Sequence, residues 1–385
     1  MIRREIARAV LWGWVIITHL ACGSEPESSE GDSMTQPMAT TGEGVACAAL
    51  ADFAHRDRLG VLTVYLDPGI DHERAAQVLD AARDVGAGWI RMGMLWALAN
   101  PAAGQHDFAE YDWLVDQARA RGLSILPTVT WTPRWASANR WSLQYFYYPP
   151  TEELVEGLSG YAHLEAFART VAARYAEAID RWELWNEPDM AGYFKDADGD
   201  SSTAADYAKM LSFFARGVRA GNPQARVVLG GLAQGPAEYG CEPGYLAKIL
   251  ADPAHPAGAH FDLHNIHTNF QTPAEIRAQI EENRGVLAAF GLDKPLVITE
   301  TSYTSSRWHQ SLPEYRGGQA GLARYVTDAL TAQLDEGAEI VFWAAFHDYK
   351  PLERAGAYQR SGLYTYELEA KQAAQVFTEV SCGAL

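Results

Sequence analysis

The chain is short of positive charge. Thirty-one lysines and arginines stand against forty-nine aspartates and glutamates, a net charge of −18 over 385 residues. That balance argues against a nucleic-acid backbone as partner and leaves neutral ligands open. Cysteine is also scarce: Cys22, Cys47, Cys241 and Cys382 are the four present, and no two are spaced as a metal pair. No glycine-rich phosphate turn follows the first strand candidate, so no dinucleotide cofactor is expected. A His/Asp cluster able to hold a catalytic metal cannot be assembled from the strand ends, so no metal is expected either. The longest early apolar run, AVLWGWVII, is too short to cross a bilayer.

That run has a basic flank, MIRREIAR, and is followed by THLAC. The pattern is a secretory signal over residues 1–21. Its end resembles a bacterial lipoprotein cleavage box with Cys22 as the lipidated residue; ordinary signal cleavage is the alternative. Residues 22–46 are polar, acidic and nearly free of large apolar groups, which makes them a flexible tether. The folded part is then 47–385, expected as an exported monomer: a lipoprotein of the periplasm or cell surface, or a secreted protein. Its membrane contact would run only through Cys22. Cys47 and Cys382 bracket this part, as a disulfide or as two unpaired thiols, and Cys241 reads as a loop thiol.

From about residue 60, short apolar runs alternate with helical patterns. The runs are 60–66, 88–95, 123–131, 181–187, 225–232, 261–268, 295–300 and 339–346. Amphipathic stretches separate them, and several end in glycine, as helix C-caps do. Strands alternating with helices pair in parallel, and eight such units predict a (β/α)8 barrel. A doubly wound open sheet is the alternative.

In such barrels the chemistry sits at the C-terminal ends of the strands. The residues there are Arg91 on strand two, Trp131 ending strand three, Asn186 and Glu187 ending strand four, His267 on strand six, Glu300 on strand seven and Trp343 on strand eight. Carboxylates closing apolar strands are expensive to desolvate. Strands four and seven lie nearly opposite each other, so Glu187 and Glu300 would share one mouth. Two carboxyl groups about 5–5.5 Å apart suit a retaining glycosidase, with one group as nucleophile and the other as acid/base. Strict alternation would put Asn186 and Glu187 on opposite faces, so both can serve one site only if the strand end twists or bulges. Glu183 shares the face of Glu187 and reads as a core carboxylate paired with a cation.

RWELWNEPD (181–189) resembles the strand-four signature of the clan A glycoside hydrolases, and VITETS (297–302) resembles their strand-seven signature. GWIRMGMLWALANPAAGQHDFAEYDWLV (88–115) resembles their strand-two arginine segment. The similarity runs over roughly residues 58–380, nearest to the family-thirty-nine-like and cellulase-like members. It implies a (β/α)8 glycosidase acting without a cofactor on a polysaccharide or glycoside. By position it implies Glu187 as acid/base and Glu300 as nucleophile. Asn186 would bond the sugar 2-hydroxyl, Arg91 would keep Glu300 ionised, His267 would be the strand-six histidine, and Trp343 would floor the sugar site. Thr268 and Asn269 stand where the clan often has an aromatic residue.

The insertion after strand three carries Trp131, Trp135, Trp141, Tyr145, Phe146, Tyr147 and Tyr148. Two readings stand for it: sugar-stacking surfaces, with Trp131 foremost, or a small core holding the loop down. DADGDSSTAADY (196–207) resembles a calcium loop only at its start and reads as a solvated loop before a helix capped by Thr203 and Asp206. The competing reading of the whole chain is a non-catalytic carbohydrate-binding protein on a barrel.

Overall fold

The computed structural model describes Cys47 and residues 53–63, 71–197, 203–349 and 357–384. The signal, the tether, Cys22 and the middle of the 196–207 loop lie outside the described residues. Among the described residues no helix is long and apolar enough to cross a membrane.

Eight parallel strands form the barrel: β1 (Leu59–Leu62), β2 (Trp89–Leu95), β3 (Ser124–Thr130), β4 (Arg181–Leu184), β5 (Arg226–Val228), β6 (His264–His267), β7 (Leu296–Thr301) and β8 (Ile340–Trp343). The hydrogen-bonded ladder runs β5-β4-β3-β2-β1-β8-β7-β6. Single bridges, Val228 with Leu263 and Leu232 with Ile266, close the β5–β6 seam. All eight expected runs contain a strand, though every regular ladder but β7 is shorter than its apolar run.

Among the described residues, besides one short helical turn at Trp96–Ala99, eight helices wrap the sheet: α1 (His72–Asp84), α2 (Ala109–Ala120), α3 (Gly160–Arg174), α4 (Ala204–Gly221), α5 (Tyr245–Leu250), α6 (Pro273–Ala289), α7 (Gln319–Asp335) and α8 (Gln372–Ser381). Local chemistry sets their ends. Asp71 accepts from the Glu73 and Arg74 amides at the start of α1. Thr272 and Glu275 form a reciprocal capping box at α6, with Pro273 in its first turn. Gly122 and Gly291, just past α2 and α6, take φ of 66° and 70°, which a side chain would resist. One expected cap fails. Thr203 makes no side-chain cap at α4; its hydroxyl donates to the Pro188 carbonyl at 3.0 Å instead.

Strand parity sorts the barrel interior into layers. Trp89, Leu126, Leu263, Val297 and Phe342 belong to one buried apolar cluster. Two residues further along their strands stand Arg91, Thr128, Asn265 and Thr299, all buried. A polar layer therefore rests on an apolar plug, one step below the mouth. At the chain ends, Cys47 and Cys382 form a disulfide with Cα atoms 6.1 Å apart and 335 residues of separation. Cys241, expected as a loop thiol, lies between elements and is free and buried.

Candidate active site

The β4 end settles how Asn186 and Glu187 come to face one place. Trp185 and Glu187 both have positive φ, 70° and 47°. Bulky residues seldom adopt that region, and it persists only where surroundings impose it. Here the Trp185 amide donates to the Val129 carbonyl at 2.9 Å and the Glu187 amide to the Gly231 carbonyl at 3.0 Å. The Trp185 indole N–H donates to the Tyr193 carbonyl at 3.0 Å. Strand alternation breaks, and both polar side chains turn inward.

Arg91 is the hub. Its Nε and Nη2 donate to Glu183 at 2.7 and 3.0 Å. Its Nη1 donates to Glu300 Oε1 at 2.8 Å, and Nη2 also donates to Asn186 Oδ1 at 2.8 Å. On the other side, His267 Nδ1 lies 2.8 Å from Glu187 Oε1 and 3.8 Å from Glu300 Oε2. His267 Nε2 meets the Thr299 hydroxyl at 3.1 Å. His264, three residues earlier, faces the opposite way and bonds Asn283 of α6 at 3.1 Å.

One oxygen of Glu187, one of Glu300 and one nitrogen of His267 lie within 4.8 Å of one another. Three such atoms could in principle ligate a metal. However, Glu300 already has a guanidinium partner and Glu187 an imidazole partner, so the trio is a carboxylate pair with its hydrogen bonds made.

The two carboxyls have opposite electrostatic surroundings. Burial raises Glu187, and the approach of Glu300 adds to that against the pull of His267, so Glu187 holds its proton above the ordinary range. Burial also resists ionisation of Glu300, but the charges of His267 and Arg91 outweigh it, and its carboxyl lies below the ordinary value. His267 itself is raised: burial disfavours its charge, yet Glu300 and Glu187 more than compensate. The site thus pushes the proton affinities of its two carboxyls apart, Glu187 upward and Glu300 downward.

A cavity opens beside Glu300, walled by Leu62, Met92, Trp131, Tyr147, Asn186 and Tyr193 among others. Of the sequence candidates, Arg91, Asn186, Glu187, His267 and Glu300 are brought together, and Trp131 reaches the cavity wall. Trp343 does not reach it. It has no exposed surface, its indole N–H donates to the Ser361 carbonyl at 2.9 Å, and it packs edge-on against Tyr325. It supports the mouth from behind and cannot floor it. The aromatic insertion divides. Tyr145, Phe146 and Tyr147 form a small core with Trp131 and Tyr193 against it, while Trp141 is 84% exposed.

Several contributors carry no local signal. Tyr193 lies in the loop after β4, and Tyr358 in a loop after β8. Burial and the nearby charges of Glu187 and Glu300 hold both as neutral phenols. Asn269, expected only as a departure from the clan pattern, donates to Glu300 Oε2 at 3.5 Å while its Oδ1 accepts from Ser302 at 2.6 Å.

No known family model matches the chain, and no curated protein matches it. Solved structures do. A family 39 glycoside hydrolase from the gut symbiont Bacteroides cellulosilyticus WH2 aligns with a TM-score of 0.62 at 18% identity, over 86% of this chain and 65% of that one. The exo-beta-1,4-mannosidase Op5Man5 from Opitutaceae bacterium strain TAV5 aligns at 0.57 and 19% identity, over 85% and 59%. A thermostable mutant of a xylanase from Cellvibrio japonicus aligns at 0.60 and 16% identity, over 87% and 100%. The fold is that of the barrel glycoside hydrolases. The chain spans under two thirds of the length of the first two of these, 65% and 59%.

Proposed function

We propose that the chain is a retaining glycoside hydrolase, cleaving O-glycosidic bonds of a polysaccharide or glycoside by double displacement. The observation that carries this is the carboxylate pair: oxygens of Glu187 and Glu300 within 4.8 Å, in environments that push the Glu187 carboxyl up and the Glu300 carboxyl down. Inverting enzymes need about 6.5–9.5 Å between the groups to admit a water; retaining ones use about 5–5.5 Å.

Glu300, ionised beside Arg91, attacks the anomeric carbon. Glu187 gives its proton to the leaving oxygen, and a covalent glycosyl-enzyme forms. Glu187, now a carboxylate, takes a proton from water, which attacks the same carbon and releases the sugar. His267 bonds Glu187 throughout and favours its charged form in the second step. Arg91 occupies Asn186 Oδ1, which leaves the Asn186 amide hydrogens to donate to the sugar 2-hydroxyl. Trp131 offers an apolar face to a sugar ring at the cavity wall.

The same reading places the protein, as a monomer, outside the cytoplasm. The Cys47–Cys382 bond suits an oxidising compartment. Cys382 directly follows α8, which runs antiparallel to the strands and so ends at the face opposite the mouth. A tether from a lipid at Cys22 would then reach the barrel at that face, through Cys47. Loss of radiolabelled-lipid incorporation in Cys22→Ser is the expected result; equal labelling of both forms contradicts the anchor.

The catalytic reading is tested by reducing-end release from plant, bacterial and fungal polysaccharides, with wild type and Glu300→Gln side by side. Release that disappears in the variant supports it. Release that survives removes Glu300 as nucleophile. Binding by both forms without release from any polymer favours a carbohydrate-binding protein.

A further inference from the structure

Glu183 takes no part in the steps above, yet it is fully buried at the centre of the barrel. Its oxygens accept from Arg91 Nε at 2.7 Å and Nη2 at 3.0 Å. They also accept from Asn265 Nδ2 at 2.8 Å, the Thr299 hydroxyl at 3.1 Å and the Gly231 amide at 3.3 Å. The Thr128 hydroxyl adds a further short bond. This carboxylate is as fully bonded as a buried charge can be, and every side-chain partner sits on the polar layer beneath the mouth.

A planar guanidinium held along one edge by two bonds has its plane fixed. Arg91 is held that way by Glu183, which leaves Nη1 to reach Glu300 at 2.8 Å. The charge of Arg91 is thereby divided between the fully buried Glu183 and the partly exposed Glu300. Alone with Glu300, the same cation would bind its carboxylate more tightly and make it a weaker nucleophile. A structural role by itself does not call for a second carboxylate, since a buried ion pair is no better for stability than apolar packing of equal volume.

We propose that Glu183 is a positioning residue: it aims Arg91 at Glu300 and limits how much of its positive charge Glu300 receives. This rests on the reading of Glu300 as nucleophile. Glu300 is faced by Arg91 from β2, by Glu187 from the end of β4, by His267 from β6 and by Asn269 just beyond β6. Tyr193 and Tyr358 face it from the loops after β4 and β8.

The test follows the titration of Glu300 directly, without catalysis. The full chain is labelled with carbon-13 at the glutamate carboxyl carbons, and the Glu300 resonance is assigned by its loss in Glu300→Gln. In Glu183→Gln the amide oxygen still accepts one bond and keeps Arg91 aimed, but the negative charge is gone and Arg91 acts on Glu300 undivided, so the Glu300 midpoint falls by about one pH unit. On any substrate the wild type cleaves, the acid limb of kcat/KM moves down with it. If the variant loses thermal stability while the Glu300 midpoint stays in place, Glu183 is structural only and the proposal is overturned. Should Glu183→Gln not fold, Glu183→Asp carries the test. Its shorter side chain gives up one bond to Arg91, and a smaller fall is expected; no fall contradicts the proposal. Failure of the nucleophile reading shows separately, as activity that persists in Glu300→Gln.

Discussion

His267 Nδ1 stands 2.8 Å from Glu187 and 3.8 Å from Glu300, so one imidazole touches both carboxylates of the proposed pair. It is a raised base between a raised acid and a lowered one. Replacing it with Asn removes a cation that favours both ionised carboxylates, so both carboxyls rise. The alkaline limb of kcat/KM, set by loss of the Glu187 proton, should move to higher pH, and kcat should fall about tenfold or more. A pH–rate profile of His267→Asn checks this; an alkaline limb in its wild-type place contradicts it.

The wild-type profile has its own expected shape. Glu300 must be ionised, and its carboxyl lies below the ordinary value. Activity therefore persists as pH falls and is lost only below the usual glutamate range of about 4.3. Glu187 must be protonated, and its carboxyl lies above the ordinary value. Activity is therefore lost as pH rises past a point above that range. Glu187→Gln should remove the alkaline limb while leaving the acid limb in place.

The two glutamates should differ in what replaces them. Glu187→Ala removes the proton donor, lowering kcat about 100-fold to 10,000-fold on poor leaving groups. Activated aryl glycosides, which need no protonation, should still form the glycosyl-enzyme. Added azide should then release a glycosyl azide of retained configuration. Glu300→Ala should form no glycosyl-enzyme with any leaving group. Product analysis by chromatography and NMR distinguishes the two.

The Cys47–Cys382 bond closes 335 residues of separation. Cys47→Ser should lower unfolding free energy by about 2–4 kcal/mol, through a less restricted unfolded chain. Chemical denaturation of the oxidised wild type and the variant measures it. Equal stabilities would mean the bond does not constrain the unfolded chain.

Much of the fold is legible because each short apolar run must be buried by the amphipathic helix that follows it. The strand ends carrying Arg91, Glu187, His267 and Glu300 could therefore be placed at one mouth before any coordinates. What escaped has identifiable causes. Regular pairing in β5 stops at Val228, because the seam with β6 is made by single bridges; local patterns hold no record of how a barrel closes. The turn that points both Asn186 and Glu187 inward needs left-handed tryptophan and glutamate, conformations that surrounding hydrogen bonds impose and residue type does not announce. Thr203 sits where a cap belongs, yet finds the Pro188 carbonyl. Tyr193, Tyr358 and Asn269 reach the site from loops, by folding alone. Trp343 was misplaced for the reverse reason: its strand ends at the mouth, but its indole turns to Ser361.

The pairing of Glu187 with Glu300 is tested most directly by the stereochemistry of the first product. On the first polysaccharide or oligosaccharide the protein cleaves, anomeric proton signals should show the newly released sugar in the configuration of the bond that was broken. Later mutarotation then brings it to equilibrium. Initial release of the opposite anomer would mean that water attacks directly, and would contradict a covalent intermediate on Glu300.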